Sequence, residues 1–239
     1  MPESCMKTWT TDNGQTVTLV LGGRSNVFLV SAGGKRLLVD TGPAALWLPL
    51  ARRLKRPGVE RLDGLALTHA HFDHAGNAAR IRGMFACPVY VHRCEAGLLE
   101  AGRNPVIRGT NPFGASVARV AAFLPERLLA YAPCAHDAAV DARLDLPDLG
   151  PETYILHTPG HTRGSISVIV GGEVAVAGDS LFGVFRSTAF PPFAEDPGEL
   201  VASWGRLLGT GCRTFLPSHG GEKSAEELRA EYERRSRAR

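Results

Sequence analysis

The sequence predicts a protein of the α/β (α+β) class, and three observations support this. Short β-branched and apolar segments alternate with glycine turns near the start, at Gly22-Gly23 and Gly33-Gly34, which is typical of hairpins in an antiparallel or mixed sheet. A strand–strand–helix order recurs loosely in the second half. Histidines and aspartates follow several of the predicted strands. The recurrence favours a sandwich built from two similar halves.

The composition is that of an ordinary globular chain. It has 239 residues, of which 44% are hydrophobic and 21% charged, and its net charge is +3. Long disorder and a strongly basic nucleic-acid surface are therefore not expected. No segment approaches the roughly 20 apolar residues of a membrane helix, and no apolar run follows the first charged residues as in a signal peptide. We expect a cytoplasmic protein.

The cysteines are scattered and odd in number, and none forms a CxxC pair. They are Cys5, Cys87, Cys94, Cys134 and Cys212. In a reducing compartment such cysteines are expected to be free thiols that pack as small apolar groups. They are therefore poor candidates for metal ligands.

The apolar pattern predicts the following elements in chain order. The predicted strands are 16–21, 25–30, 36–40, 65–67, 88–91, 154–156, 165–170, 174–177 and 213–216. Helices are predicted over 44–54, from 76, over 197–208 and after Ser224, where Ser224 and Glu227 form a capping box. The less regular stretch 94–148 contains proline breaks and helical patches, and we expect a lid-like insertion there within a single domain, 1–239.

The strongest motif is the run Thr68-His69-Ala70-His71-Phe72-Asp73-His74. Four side chains that can bind a metal lie within six residues, directly after a predicted strand. The two histidines two positions apart point the same way in an extended segment, and a turn would swing Asp73 and His74 toward a second point nearby. Imidazole and carboxylate groups are suitable ligands for zinc, iron or manganese.

Three further candidates sit after apolar strands, each in a glycine-containing turn. They are His161 in Thr-Pro-Gly-His-Thr, Asp179 in Ala-Gly-Asp-Ser and His219 in Pro-Ser-His-Gly. Each alone is more often a turn residue than a ligand. Together with the histidine run they supply what two four-ligand metal sites would need.

In this order the motifs resemble those of the metallo-β-lactamase superfamily. The resemblance spans 26–220 and includes Asp40 in Val-Asp-Thr-Gly, the HxHxDH run and the three later candidates. It implies a four-layer αβ/βα sandwich, in which two mixed sheets carry helices on their outer faces and the metals lie at one edge.

The resemblance also implies a role for each candidate residue. One metal would be bound by His69, His71 and His161, the other by Asp73, His74 and His219, and Asp179 would bridge the two. Asp40 would hydrogen-bond a ligand histidine and fix its orientation. The implied cofactors are two divalent cations, with Zn²⁺ favoured over iron or manganese.

Two cations that share a water lower its pKa, so that hydroxide forms near neutral pH and attacks a carbonyl. Asp73 would orient this hydroxide as the catalytic residue. We therefore expect a dinuclear hydrolase of a small-molecule thioester, lactone or ester, with neither a nucleic acid nor a membrane as partner. The sequence sets no oligomeric state.

Comparison with branches of the superfamily narrows the substrate. Hydroxyacylglutathione hydrolases carry a helical domain after the last histidine, whereas twenty residues follow His219 here. Acyl-homoserine lactonases usually carry a tyrosine where this chain has Phe182. Many metallo-β-lactamases are exported and lack the bridging aspartate, so Asp179 makes β-lactam hydrolysis a side activity at most.

Residues outside the motifs carry weaker expectations. The aromatic stretch 182–193 is either one wall of an apolar substrate pocket or loop packing. Arg108 and Arg186 are candidates for binding a substrate carboxylate, although surface arginines are common. The remaining histidines, His92, His136 and His157, are expected to be structural.

Two other classes of function stay open on the sequence. One is an iron-dependent oxidoreductase that resembles the persulfide dioxygenases, which bind one iron through two histidines and an aspartate. The complete set of seven ligands is more than such an enzyme needs. The other is a metal-binding protein without turnover.

Overall fold

The computed structural model describes residues 6–23, 25–56 and 58–237 of the chain. Over these residues the strands are β1 (Thr8–Thr10), β2 (Thr16–Leu21), β3 (Val27–Ala32), β4 (Lys35–Val39), β5 (Gly64–Ala66), β6 (Val89–His92), β7 (Ala138–Val140), β8 (Arg143–Asp145), β9 (Tyr154–His157), β10 (Ile166–Val170), β11 (Val174–Gly178), β12 (Thr214–Pro217) and β13 (Lys223–Ser224). The helices are α1 (Trp47–Lys55), α2 (Phe72–Ala75), α3 (Ala78–Phe85), α4 (Arg93–Ala101), α5 (Pro112–Ala122), α6 (Pro197–Gly209) and α7 (Ala225–Arg237).

The strands form two mixed sheets. In the first sheet the strands follow chain order from β1 to β7; the pairs up to β4 are antiparallel and the later pairs are parallel. The second sheet has the order β13-β12-β11-β10-β9-β8, and only the β11–β12 pair is parallel. Both sheets are therefore mixed, as the resemblance implied.

The two sheets pack face to face through alternate residues of their strands. In β3, Phe28 and Val30 belong to the core between the sheets, whereas Leu29 faces the other way. In β10, Val168 faces the inner core and Ile169 faces outward. This alternation follows from the period of two in a strand, and it leaves an apolar outer face on each sheet.

Helices cover both outer faces. Leu50 and Leu54 of α1 belong to an apolar cluster on the first sheet that also includes residues of α3 and α4. Trp204 of α6 and Leu228 of α7 belong to the cluster on the second sheet. The layers therefore run helix, sheet, sheet, helix, which confirms the predicted four-layer sandwich.

The nine predicted strands are all present, with ends shifted by no more than two residues. The predicted helix 44–54 begins as a 3-10 turn, Ala44–Leu46, before α1. The capping box is confirmed, because Ser224 N donates to Glu227 Oε2 at 2.8 Å and Glu227 N donates to Ser224 Oγ at 3.2 Å.

The cysteines and the membrane prediction can be checked over the same residues. Cys87, Cys94, Cys134 and Cys212 are free thiols, as expected, and Cys5 lies outside the described residues. Among the described helices, none has the length and apolar character needed to cross a membrane.

The stretch 94–148 is more regular than its proline breaks suggest. Besides most of α4 and all of α5, it contains β7 and β8, which are the end strands of the first and second sheets. The part outside the sheets and α4 is 102–137, and α5 is its main element. Any lid must therefore be confined to this shorter part.

Loops from both sheets meet at one edge of the sandwich. Ile166 N donates to Thr68 O at 2.8 Å, and Asn26 N donates to Ser218 O at 2.7 Å. These bonds connect loops of one sheet with residues of the other. The residues that follow β4, β5, β11 and β12 are thereby held close together.

A glycine allows one of these loops to approach α6. Gly160 has φ of 128°, a conformation that side chains disfavour. A Cβ at this position would lie 2.2 Å from the backbone nitrogen of Leu200. The loop between β9 and β10 can therefore be this close to α6 only with glycine at position 160.

We predict that Gly160→Ala lowers the free energy of unfolding by about 2 kcal/mol or more, because it adds both backbone strain and a clash. Gly83→Ala is the matched control, since Gly83 lies in α3 with open space around its Cβ position; it should stabilise by about 0.5–1 kcal/mol. Urea unfolding measures both. Equal effects of the two substitutions would contradict this account of the loop.

Candidate metal centre

The structure brings all seven candidate side chains to the edge where the loops meet. Two histidines follow β5, an aspartate and a histidine lie in α2, and one residue each follows β9, β11 and β12. These residues are His69, His71, Asp73, His74, His161, Asp179 and His219. Ends of neighbouring strands thus converge from both sheets, although the residues are as far apart as 150 positions in sequence.

The side chains form three overlapping groups in which the candidate ligand atoms lie within 4.8 Å of one another. The groups are His69, His71 and His161; Asp73, His74 and His219; and His69, His74 and Asp179. The first two groups are the sets that the resemblance implied. The third joins them, because it takes one histidine from each.

Asp179 lies between the two histidine sets. Its Oδ2 is 3.6 Å from His161 Nε2 of one set and 3.3 Å from His219 Nε2 of the other. Its Oδ1 is 3.7 Å from His74 Nε2. A single carboxylate therefore faces both sets, which is the arrangement that a bridging ligand requires.

Several buried atoms of this cluster have no hydrogen-bond partner. They include the Nε2 atoms of His69 and His74 and the Oδ1 atom of Asp179. A buried polar atom without a partner costs about 1–3 kcal/mol, so native proteins rarely retain one without a reason. Imidazole nitrogens and a carboxylate oxygen that face a common point fit a metal cation. The cluster is therefore able to bind metal ions.

Hydrogen bonds on the opposite ring nitrogens fix the histidine orientations. The Nδ1 atom of His69 is 3.1 Å from Thr68 Oγ1, and that of His161 is 3.0 Å from the backbone oxygen of Phe193. Outer contacts of this kind hold the ring and set which nitrogen is free to bind a metal. In both residues the Nε2 atom is the ring nitrogen that faces the other candidate ligands.

Asp40 performs the same task for His74, as expected. Its Oδ2 lies 2.9 Å from His74 Nδ1, and it also accepts hydrogen bonds from Thr68 and Ser218. Asp40 has φ of 62°, a left-handed conformation that few residues other than glycine adopt but that aspartate adopts more often than most. In this conformation its carboxylate, at the end of β4, reaches His74.

Burial keeps three of the histidines in the neutral form that binds metals. It lowers the pKa of His69 and of His71 well below the ordinary value, and it also lowers the pKa of His161. Neighbouring imidazoles act in the same direction for His69 and His71, because two adjacent positive rings repel. These nitrogens therefore need little deprotonation before they bind a cation.

His74 behaves differently because carboxylates surround it. Burial acts to lower its pKa, but Asp73, Asp179 and Asp40 together raise the pKa to about 10. Burial also opposes ionisation of Asp179, yet His219 and His74 lower the pKa of this carboxyl well below its usual range. The cluster without a cation thus holds a proton on His74 that balances part of the negative charge.

Glu95 of α4 is a residue of this region that sequence reasoning missed. It is buried, and its carboxylate accepts hydrogen bonds from Ala70 N, Thr162 Oγ1 and Gly164 N. Ala70 lies between His69 and His71, and Thr162 follows His161, so Glu95 joins two loops of the cluster. Burial raises the pKa of Glu95 to about 7. No motif marks it; its only signal is a glutamate in an otherwise apolar helix face.

A cavity opens directly onto the cluster. Phe182 and Phe193 line it, as the pocket-wall interpretation of the aromatic stretch expects, whereas Phe190 packs against Trp204 with ring centroids 5.7 Å apart. Arg108 and Arg186 do not: each lines a different depression among charged residues. Neither arginine is therefore part of the wall of this cavity, and their proposed contact with a substrate carboxylate stays a prediction.

The histidines outside the motifs take part in local contacts only. The rings of His92 and His157 stack with centroids 3.9 Å apart, and His136 Nδ1 is 3.0 Å from Glu100 Oε1. None of them belongs to the three groups of candidate ligands. This agrees with the structural role expected from the sequence.

Comparison with known proteins gives the family. The sequence profile that describes the metallo-beta-lactamase superfamily matches residues 20–219 of this chain. A probable metallo-hydrolase of Methanocaldococcus jannaschii is 30% identical over 161 residues, which are 67% of this chain and 69% of that protein. An uncharacterized protein of Mycobacterium leprae is 32% identical over 195 residues, 79% of this chain and 82% of that one.

A solved structure shows the same architecture. A protein crystallised in a di-iron-bound form superposes with a TM-score of 0.62 and 25% identity, covering 95% of this chain and 98% of its own. Motifs, fold and site geometry thus agree with the sequence comparison, and the chain belongs to the metallo-beta-lactamase superfamily.

Proposed function

We propose that the chain is a dinuclear metal-dependent hydrolase that cleaves an ester-like bond in a small molecule. The observation that carries this proposal is Asp179, which faces two separate sets of histidines, together with the unpartnered buried nitrogens of those sets. The name of the archaeal relative, a probable metallo-hydrolase, supports the same class of reaction.

The seven residues divide naturally between two cations. His69, His71 and His161 would hold one, Asp73, His74 and His219 the other, and Asp179 would bind both. When bound, two such cations would supply Lewis acidity and would lower the pKa of a shared water to near neutrality. Zinc suits this donor set, and the di-iron-bound relative supports iron as the other candidate.

Asp73 is the proposed catalytic residue. Its Oδ1 is 3.7 Å from His74 Nε2 and its Oδ2 is 3.5 Å from His219 Nε2, and its side chain lines the cavity. One of its oxygens would bind a cation, and the other would accept a hydrogen bond from the attacking water. That bond orients the water toward the acyl carbon and draws a proton away from it.

One alternative is an iron-dependent oxidoreductase with a single iron. Such a site would use two histidines and one aspartate, whereas here His74 belongs to a second set with Asp73 and His219, and its buried Nε2 lies 3.7 Å from Asp179 Oδ1. The complete second set favours the hydrolase. One iron per chain together with oxygen consumption would reverse this preference.

We predict that Asp179→Ala lowers the metal content below two ions per chain and reduces hydrolysis of thioester, lactone and ester substrates by at least about 100-fold, because a shared ligand is lost. Elemental analysis and initial rates measure the two effects. Asp145→Ala is the control, since Asp145 is exposed on β8. A variant at position 179 with two metals and the full rate would refute the bridging role.

We also predict that metal binding by the ion-free protein releases the proton held by His74. Below the pKa of about 10 the ring is charged, so apparent affinity should rise about tenfold per pH unit for each proton released. Zinc titration calorimetry at pH 7 in two buffers of different ionisation enthalpy counts the protons.

The variant His74→Asn should release at least about one proton fewer than the wild type, because it lacks the charged ring and also a ligand of the second cation. His136→Asn, which alters a histidine outside the cluster, should release the wild-type number. Identical heats in the two buffers for the wild type would show that no proton leaves and would contradict the charge balance derived for the cluster.

A further inference from the structure

The cavity above the cluster has a volume of about 500 Å³, which is within the usual range for small-molecule sites. An apolar cavity of about 150 Å³ already accepts a benzene ring. The space here is therefore sufficient for a group several times larger. Because residues of the cluster line the cavity, the part of a substrate that occupies the cavity would be attached to the reacting bond.

The chemistry of the lining is nearly uniform. Its polar members are the cluster residues His71, Asp73, His161, Asp179 and His219, and the others are aliphatic, aromatic or proline side chains. Within the described part of the chain, no lysine, arginine, glutamate, serine or threonine lines it. A charged or strongly polar substituent would lose its water here without finding a partner.

Helix α5 supplies one wall, and its apolar side chains are not used in the protein core. Phe113, Val117 and Ala121 recur every four residues and line the cavity, yet Phe113 is 71% exposed and Val117 is 39% exposed. An amphipathic helix normally buries such a stripe against its own protein. This stripe instead faces the open space above the metal cluster.

The position of α5 is fixed by contacts with the opposite wall. Thr110 N donates to Pro192 O at 2.9 Å, and Thr110 Oγ1 donates to Pro191 O at 2.7 Å. A Cβ at Gly114 would lie 2.1 Å from Pro192 O, so the helix packs directly on this backbone. The two walls are therefore joined, and the spacing between them is set by the fold.

From these observations we infer that the cavity binds an uncharged apolar chain on the acyl side of the substrate, with Phe113 and Val117 as its specificity-determining contacts. The inference rests on the proposed function. Water adds to the acyl carbon, the bond to the alcohol oxygen or thiol sulfur breaks, and that group leaves with a proton. The product is a carboxylic acid with an apolar chain.

The test uses the zinc-loaded enzyme and p-nitrophenyl esters from acetate to octanoate. We expect kcat/KM to rise about fourfold for each added methylene group until the cavity is full, the increase expected when an apolar methylene is buried. An ester of the same length that ends in a carboxylate should react at least about tenfold more slowly than octanoate.

Phe113→Ala should lower the ratio of kcat/KM for octanoate to that for acetate by about fivefold or more, because it removes part of the wall. Phe123→Ala is the matched control, since Phe123 follows the same helix, is 90% exposed and does not line the cavity; it should leave the ratio unchanged. If p-nitrophenyl acetate is hydrolysed but kcat/KM does not change with the length of the acyl chain, this inference is overturned and the hydrolase proposal stays intact.

If no ester, thioester or lactone is hydrolysed, the proposed function fails, and the cavity is then tested by binding alone. The neutral fluorophore N-phenyl-1-naphthylamine should bind wild type and Phe123→Ala alike and Phe113→Ala more weakly. Equal binding by all three proteins would overturn the inference. A second result would also overturn the inference: sedimentation that shows a dimer for the wild type and for Phe123→Ala but a monomer for Phe113→Ala. The apolar side chains of α5 would then be an interface with a second copy of the chain rather than a substrate wall.

Discussion

The arrangement of the loops at the metal-ligand cluster depends on the burial of Asp179 between two sets of histidines. A carboxylate removed from water loses solvation that only nearby positive charge or hydrogen-bond donors can replace. Here the surrounding groups are histidine nitrogens, several of which have no hydrogen-bond partner. Two cations would satisfy these atoms and Asp179 together. The same constraint explains why Asp40 and Glu95 hold the loops from outside.

The topology of the sandwich brings the residues around Asp179 together. Strand ends from both sheets reach one edge, and bonds such as that from Ile166 to Thr68 connect the two halves there. Special backbone conformations then aim the side chains, with a left-handed Asp40 and a glycine at position 160. The fold and the cluster are therefore coupled: a change that relaxes the loops also moves the ligands.

Most strands and the members of the cluster could be predicted because local sequence patterns indicate them. Alternating apolar residues gave the main strands, and the HxHxDH run with the three later residues gave the members of the cluster. Other features depend on contacts between distant segments. Nothing near Glu95 in sequence shows that it joins two loops, and three-residue strands such as β7 and β8 have too little pattern to separate them from an insertion. Arg186 follows Asp179 by seven positions in sequence, yet like Arg108 it lines a different depression.

The apolar cavity and the polar cluster divide the task of recognition. In the proposed function, the cluster would determine which bond reacts, and the wall formed by α5 would determine which substituent is bound beside it. The central claim, two cations joined by Asp179, is tested most directly by anomalous diffraction from crystals grown with zinc. We predict two peaks about 3.5–4 Å apart, both in contact with the carboxylate of Asp179. A single peak, or an Asp179 side chain turned away from both, would contradict it.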